Sequence, residues 1–350
     1  MNKIVIGILL VVVSFTFAYM LTQPAQDAEL RPKETVAIEE NAETELACAQ
    51  APGDADEMIW LEGGTFSMGS SDYYPDEGPM NKVEVDGFWI DKHEVTNAQF
   101  ARFIDLTDYV TVAEQQLNPD DFPGISPDQL TPGSAVFIMP TKVSQGGSLN
   151  DWWRFMPGAN WRQPNGPGSN IDGKENYPAI HVAYEDAKAY ADWSGRTLPT
   201  EAQWEYAARG GLQNKAFAWG DEYREEDGWR ANTWQGTFPA FNEGGDGHLA
   251  TAPTGCFAAN EYGIHDMIGN VWEWVDDWYY PGHEDVDTST IPTGYDPRQP
   301  DVAVKVIKGG SYLCAKNFCM RYRPSARHAQ EANLSAAHIG FRTVKNKKES

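Results

Sequence analysis

"MIWLEGGTFSMGS" (residues 58–70) marks where this 350-residue chain begins to read as folded protein. Residues 58–61 and 65–68 look like short strands, and the Gly63-Gly64 pair between them supplies a turn. Upstream the composition is different. Residues 22–57 carry ten acidic and two basic side chains and no aromatic ring. Such a segment buries too little apolar surface to offset the entropy lost on ordering, so residues 22–55 read as a disordered acidic tether. Ahead of the tether, residues 4–21 form an apolar run without a charge, behind Lys3. The run is long for a cleaved signal peptide and just long enough to span a bilayer. It reads as a signal anchor, with a cleaved signal peptide (residues 1–21) as the alternative. Either way the folded part is expected outside the cytoplasm, in the periplasm or an equivalent compartment, where disulfides persist.

Downstream, "KVEVDGFWIDKHEVT" (residues 82–96) alternates like a second strand pair. A helix then starts at Thr96, with Gln99 completing a capping box and Val95 placed to staple against Phe100. A second helix is expected over about residues 184–194, ending at Gly195. "LPTEAQWEYAARGG" (residues 198–211) predicts a third, capped by Thr200 and Gln203 and closed by Gly210-Gly211. "PNGPGSNIDGKENYP" (residues 164–178) and "TFPAFNEGGDGHLATAP" (residues 237–253) are loops by composition. With 13 Trp, 15 Tyr, 32 Gly and 22 Pro, the chain suggests aromatic packing and many turns rather than long regular elements. The expectation is one α+β domain over residues 56–346, irregular and loop-rich with little regular secondary structure, followed by a short tail (347–350). The Trp residues 152, 153, 161, 204, 234, 272, 274 and 278 read as core. A formal charge of −24 makes nucleic acid an improbable partner, because it repels phosphate.

Chemistry concentrates in "GGSYLCAKNFC" (residues 309–319), which holds two of the four cysteines. From the residues alone, Cys314 and Cys319 could form a local disulfide, a redox dithiol or a pair of thiolate ligands for a soft metal. The C-x₄-C spacing lacks the helix-opening C-x-x-C geometry, and the seven histidines show no zinc-ligand spacing. Lys316, Arg321 and Arg323 lie close enough in sequence to favour thiolate. Cys48 and Cys256 read as inert thiols. "NEGGDGH" (residues 242–248) and "HDMIGNVWE" (residues 265–273) offer carboxylates and turn carbonyls suited to Ca²⁺, with turn or cap roles for Asp246 and Asp266 as the alternative. Glu273, set between Trp272 and Trp274, reads as a buried carboxylate in need of a partner, either a calcium ion or a base such as Arg342.

The stretches "WLEGGTFSMGS", "VTNAQFARF", "RTLPTEAQWEYAARGG", "YGIHDMIGNVWEWVDDWY", "KGGSYLC" and "HIGFR", in this order, resemble the formylglycine-generating enzyme (sulfatase-modifying factor) family across residues 59–344. The resemblance implies a fold related to C-type lectins. It implies an oxidase that converts a cysteine in an unfolded sulfatase-type substrate, within a Cys-x-Pro-x-Arg segment, to formylglycine with O₂ and a thiol reductant. Cys314 and Cys319 would be the catalytic pair holding Cu(I), with Ser311 beside them in the oxygen pocket and Arg327 and His338 lining the substrate cleft. Asn232, Thr233, Asp246 and His248 would hold one structural calcium; Asp266, Gly269, Val271 and Glu273 would hold a second. Two disulfides of animal members are absent, since Ala191, Ala207, Pro324 and Thr343 occupy those positions. Two rivals remain at this stage: an exported lectin-like envelope module without catalysis, and a superfamily oxidase maturing another substrate such as a siderophore. The paired thiols argue against both.

Overall fold

The computed structural model describes residues 57–119, 126, 130–140, 149–225, 228–283 and 293–347. The expected anchor, the tether and Cys48 lie outside the described residues. Among the described residues no helix is long and apolar enough to cross a membrane.

The two strands around Gly63-Gly64 form as expected, as β1 (Met58–Leu61) and β2 (Gly64–Met68), but they join different sheets. β2 pairs antiparallel with β3 (Asn81–Val85), while β1 pairs with β4 (Phe88–Asp91). Gly63 makes the divergence possible. Its φ is +76°, and a Cβ there would meet the Val85 carbonyl oxygen at 2.2 Å. Period-two alternation in β4 buries Phe88 and Ile90 completely and leaves Trp89 at the surface.

Helix α1 (Asn97–Thr107) starts at Thr96, whose hydroxyl accepts the Gln99 amide at 3.2 Å while Gln99 returns a bond to the Thr96 N–H at 2.9 Å. Val95 and Phe100 are both buried in the main core, as a staple requires. A hairpin of β5 (Gly133–Phe137) and β6 (Trp153–Pro157) follows. Next come α2 (Tyr184–Trp193) and α3 (Glu201–Arg209), the latter closed by Gly210 in the left-handed region. The segment read as a plain loop from residue 237 contributes to a small hairpin of β7 (Gly236–Thr237) and β8 (Phe241–Asn242).

The sheet that organises the molecule has the order β11-β10-β9-β12. Its strands are β9 (Trp272–Trp278), β10 (Val304–Lys308), β11 (Arg327–Glu331) and β12 (Ile339–Gly340). Cross-strand register fixes its two faces. Trp274, Ile307 and His328 lie opposite one another on one face, and Glu273, Lys308 and Arg327 on the other. The first face packs into a core that includes Cys314. The second receives α3, whose Glu201 pairs with Arg327 at 2.8 Å and Lys308 at 3.4 Å, and whose Glu205 pairs with Lys308 at 3.0 Å. With β13 (Val344–Asn346) completing the β1-β4-β13 sheet, this is the irregular α+β domain expected. Of the Trp residues read as core, 152, 161, 204, 234, 272 and 274 are buried; Trp153 and Trp278 are partly so.

One buried polar chain ties β5 to the segment before β12. His181 is fully buried, with Nδ1 2.8 Å from the Ser134 hydroxyl and Nε2 2.9 Å from the Pro164 carbonyl; Ser134 in turn meets Ser335 at 2.7 Å. Burial holds the imidazole down to about 4, only partly opposed by the bond to Pro164. Its folded value lies below the unfolded one, so the folded state binds fewer protons. The stability contributed is complete above pH ~6.5 and is lost as pH falls to about 4, a difference on the order of 3 kcal/mol. The thermal midpoint should therefore fall across that window, and His181→Gln should flatten the fall; an unchanged pH profile in the variant would refute this.

Candidate active site

The cysteine loop leaves β10 through Gly309 and Gly310, both at positive φ. A Cβ on Gly310 would meet the Tyr322 Cα at 2.9 Å, so the chain can press back across its own continuation only because it lacks one. Tight turns follow: Cys314 N–H donates to the Ser311 carbonyl at 2.8 Å, and Cys319 N–H to the Ala315 carbonyl at 2.9 Å. The Trp234 N–H anchors the Cys314 carbonyl at 3.0 Å. Trp152, Trp234, Phe238, Tyr312, Leu313 and Ala315 form the apolar cluster beneath, and the exposed Phe318 ring stacks on Phe238 at 4.5 Å.

These constraints bring Cys314 Sγ and Cys319 Sγ to 3.1 Å, with both thiols free. A disulfide would hold the sulfurs about 2.05 Å apart, so the pair is in contact without a bond. Cys314 is buried and Cys319 partly accessible. Burial and the hydrogen bond to Cys319 push the Cys314 thiol well above its ordinary value. The same hydrogen bond, helped by the Arg321 N–H and the Arg321 and Arg323 cations, draws Cys319 down. Of the two sulfurs, Cys319 is thus the one whose surroundings favour thiolate and Cys314 the one held protonated by burial. Lys316, the third cation expected to act, is exposed.

Both arginines are held by a segment that the sequence reading passed over, the 3₁₀ turn Pro75–Glu77. Arg321 pairs with Asp76 at 3.0 Å and lies over the Tyr74 ring; Arg323 pairs with Glu77 and lies over Tyr73. Ser325 also donates to Glu77, at 2.7 Å. No motif spacing could have linked residues some 245 positions apart.

Ser311 is fully buried beside the pair, its hydroxyl accepting the Leu313 N–H at 3.3 Å. Arg327 corrects the expectation of a cleft residue. Its place in β11 turns it to the α3 face, where it is 3% exposed. There it donates to both Glu201 oxygens at 2.9 and 2.8 Å and to the Tyr280 and Gly282 carbonyls. That guanidinium is committed to structure. His338 is partly accessible, its ring 4.6 Å from that of Trp153.

In the first calcium-type loop, the buried Asn232 leaves its Oδ1 without a partner. Asp246 accepts the Thr233 N–H at 2.9 Å and the His248 N–H at 3.0 Å, so it ties the loop as a turn residue does. In the second, Asp266 accepts the Gly255 N–H at 2.5 Å. Gly269 abuts Asn232, whose carbonyl oxygen would lie 2.3 Å from a Cβ, and Val271 is buried nearby in sequence. Glu273 finds its partner in Arg342, which grips both its oxygens at 2.7 Å, and also accepts the Trp204 indole N–H at 2.8 Å. Glu94, unnoticed in the sequence, is fully buried here; one oxygen accepts Asn270 Nδ2 at 2.8 Å and the other has no partner. Burial, with the Asp266 charge next, pushes Glu94 well above the usual carboxylate range. Three carboxylates share one guanidinium, and two buried oxygens, Glu94 Oε2 and Asn232 Oδ1, lack donors. That donor set fits a hard cation. Among the described residues no three His, Cys, Asp or Glu side chains form a metal cage, so carbonyl oxygens would have to complete any such shell. Cys256, expected as an inert thiol, is disulfide-bonded.

Residues 43–347 match the family described as a sulfatase-modifying factor enzyme 1-like domain. The chain is 46% identical over 295 residues to a Mycobacterium tuberculosis protein named formylglycine-generating enzyme, spanning 82% of this chain and 97% of that one. A protein of the same name from Thermomonospora curvata is 43% identical over 290 residues, spanning 81% and 92%. Among solved structures, PvdO from Pseudomonas aeruginosa is similar with a TM-score of 0.53 at 24% identity, covering 84% of this chain and 95% of that one. At that identity the likeness speaks for the fold alone.

Proposed function

The chain belongs to the sulfatase-modifying factor enzyme family, and from that premise we propose that it oxidises a cysteine of an unfolded sulfatase-type polypeptide to formylglycine outside the cytoplasm. The observation that carries the reading is the free Cys314–Cys319 pair, 3.1 Å apart in a buried loop. Two soft sulfurs suit Cu(I), which when bound would supply the one-electron chemistry by which O₂ reacts with a thiol. Overall, the substrate CH₂–SH gives up two electrons and the thiol reductant two more, and these four reduce O₂ to two waters. The oxidised carbon is then hydrolysed: water supplies the aldehyde oxygen and the sulfur leaves as H₂S.

The chain's own residues prepare this. Cys319 is already biased to thiolate, and ligation by both sulfurs requires the proton on Cys314 Sγ to leave. Packing of Cys314 into the main core keeps water from the buried sulfur. Asp76 and Glu77 fix Arg321 and Arg323 so that their charge stays beside Cys319. The test is the purified full chain with Cu(I), air, a thiol reductant and the peptide Leu-Cys-Thr-Pro-Ser-Arg, followed by mass. Appearance of the aldehyde supports the oxidase; a folded, copper-loaded protein that leaves the peptide intact sinks it.

Calcium belongs to the same proposal as a structural ion near Glu94, Asp266 and Asn232. Saturating Ca²⁺ at a hundred times its Kd should add about 3 kcal/mol to stability. EGTA should lower the thermal midpoint accordingly, and Glu94→Gln should blunt the response. A midpoint indifferent to both Ca²⁺ and EGTA would count against the site.

A further inference from the structure

A file of oxidisable rings leads from the enclosed thiol pair to the surface. Tyr322, just past Cys319 in the chain, is 1% exposed and shares the main core with Cys314; Cys319 and Tyr223 pack against that core. Burial first, then negative charge on Tyr223, Cys314 and Cys319, raises the Tyr322 phenol, so its hydroxyl is within electrostatic reach of both sulfurs. The ring centroids of Tyr322 and Tyr223 are 5.0 Å apart, and those of Tyr223 and Trp229 are 5.5 Å apart. Both are contact distances for aromatic rings. The Tyr223 hydroxyl meets that of Thr233 at 2.7 Å, and burial first raises its phenol, so it too keeps its proton. Tyr223 and Trp229 are partly accessible, and the exposed Arg224 lies over the Trp229 ring at 5.0 Å. Three rings thus join the core to solvent. A second branch runs from Tyr322 through Phe217 to Trp219, with centroids 6.2 and 5.2 Å apart. A phenyl ring is far harder to oxidise than a phenol or an indole, so only the branch through Tyr223 is built of oxidisable rings throughout.

We propose that Trp229, Tyr223 and Tyr322 form the route by which electrons from an external thiol reductant reach the Cys314–Cys319 pair. The purpose of the route rests on the cysteine oxidation proposed above, which draws two electrons per turnover from that reductant. A polypeptide presenting its own thiol occupies the approach to Cys319, the accessible sulfur, so the reductant needs a path that does not pass through the bound substrate. At the outer end Trp229 gives up one electron inward, and its indole proton passes to solvent. A thiol of the reductant then returns a hydrogen atom to the indole and becomes a thiyl radical. Two such transfers deliver two electrons and two protons and join the two thiyl radicals as one disulfide. Tyr223 and Tyr322 bridge the electron inward with their phenol protons in place.

The test runs first without copper or substrate. The full chain, with Cys314 and Cys319 reduced, is flashed with a soluble ruthenium photo-oxidant and a sacrificial electron acceptor. Each electron withdrawn at Trp229 leaves a hole that the file passes to Cys319. Two holes join Cys319 to Cys314 as a disulfide, with loss of both thiol protons, and peptide mapping counts it. Trp229→Phe and Tyr223→Phe should each cut the disulfide yield about tenfold, while Trp219→Phe leaves it within about twofold. Trp229→Tyr restores an oxidisable ring and should recover most of the yield. With the copper-loaded chain and a thiol reductant too bulky to enter the site, the same two losses should appear in kcat, with the KM for the cysteine peptide unchanged. A yield unaltered in Trp229→Phe and Tyr223→Phe overturns the proposal. So does an equal loss in Trp219→Phe, a loss that Trp229→Tyr fails to restore, or a parent chain in which the flash forms no disulfide. A file that conducts in a chain that never oxidises the peptide would leave the route standing and remove the oxidase reading instead.

Discussion

Cys314→Ser and Cys319→Ser should each lower formylglycine formation by at least about a hundredfold, since disturbing even an outer partner of a metal ligand costs about 10–100-fold. The thermal midpoint should stay close to that of the parent chain. Serine nearly matches cysteine in volume, and the turns that form the loop run through backbone groups such as Cys314 N–H to the Ser311 carbonyl. The two variants should differ in one respect. Cys314→Ser buries a hydroxyl where a poorly ionised thiol stood, and that hydroxyl can still donate to Cys319. Cys319→Ser removes the sulfur whose surroundings favour thiolate, so Arg321 and Arg323 face a group that does not ionise. Cu(I) stoichiometry should fall in both, and labelling by a thiol reagent near neutral pH should fall further in Cys319→Ser. Either serine variant turning over at the parent rate would place the chemistry elsewhere.

What the sequence disclosed and what it withheld divide along a physical line. The starts of α1 and α3 were legible because a cap is a local contract: Thr96 with Gln99 and Thr200 with Gln203 satisfy orphan N–H groups within one turn. The cysteine pair was legible for the same reason, since five positions can be closed by a single loop. Sheet membership was not. β1 and β2 are neighbours in sequence yet belong to different sheets, and the Gly63 contact that parts them involves residues 85–87, whose approach only the folded chain reveals. Arg327 fails by the alternation of a strand. One residue's shift exchanges the thiol side for the α3 side, so motif position alone could not tell Arg327 from His328. Glu94 hid because a lone acid two residues before a helix cap resembles any surface charge. Only its burial against Asp266 and Glu273 marks it out.

Arg342→Met should be the most damaging single change to stability, at about 3–5 kcal/mol, because it strips the charge partner from buried acids. Arg342 is fully buried. Besides gripping Glu273 it donates to the Asp91 carbonyl at 3.2 Å and the His265 carbonyl at 3.0 Å, and so clamps the end of β4 to β9. Methionine fills part of the volume and satisfies none of these acceptors. Lysine keeps the charge without the planar fork, so Arg342→Lys should recover only part of the loss. The dependence on pH has a definite sign. Glu94 and Asp266 are already raised in the folded protein, by burial first, so their ionisation opposes folding as pH rises through their folded values. Without Arg342 that opposition grows, and the variant's deficit in urea denaturation should be larger at pH 8 than at pH 5. Glu94→Gln in the Arg342→Met background should return part of the stability, since it removes one of the surplus charges. If the double variant is no more stable than Arg342→Met, the deficit comes from lost packing and carbonyl bonds, and the buried acids are not what Arg342 is there to balance.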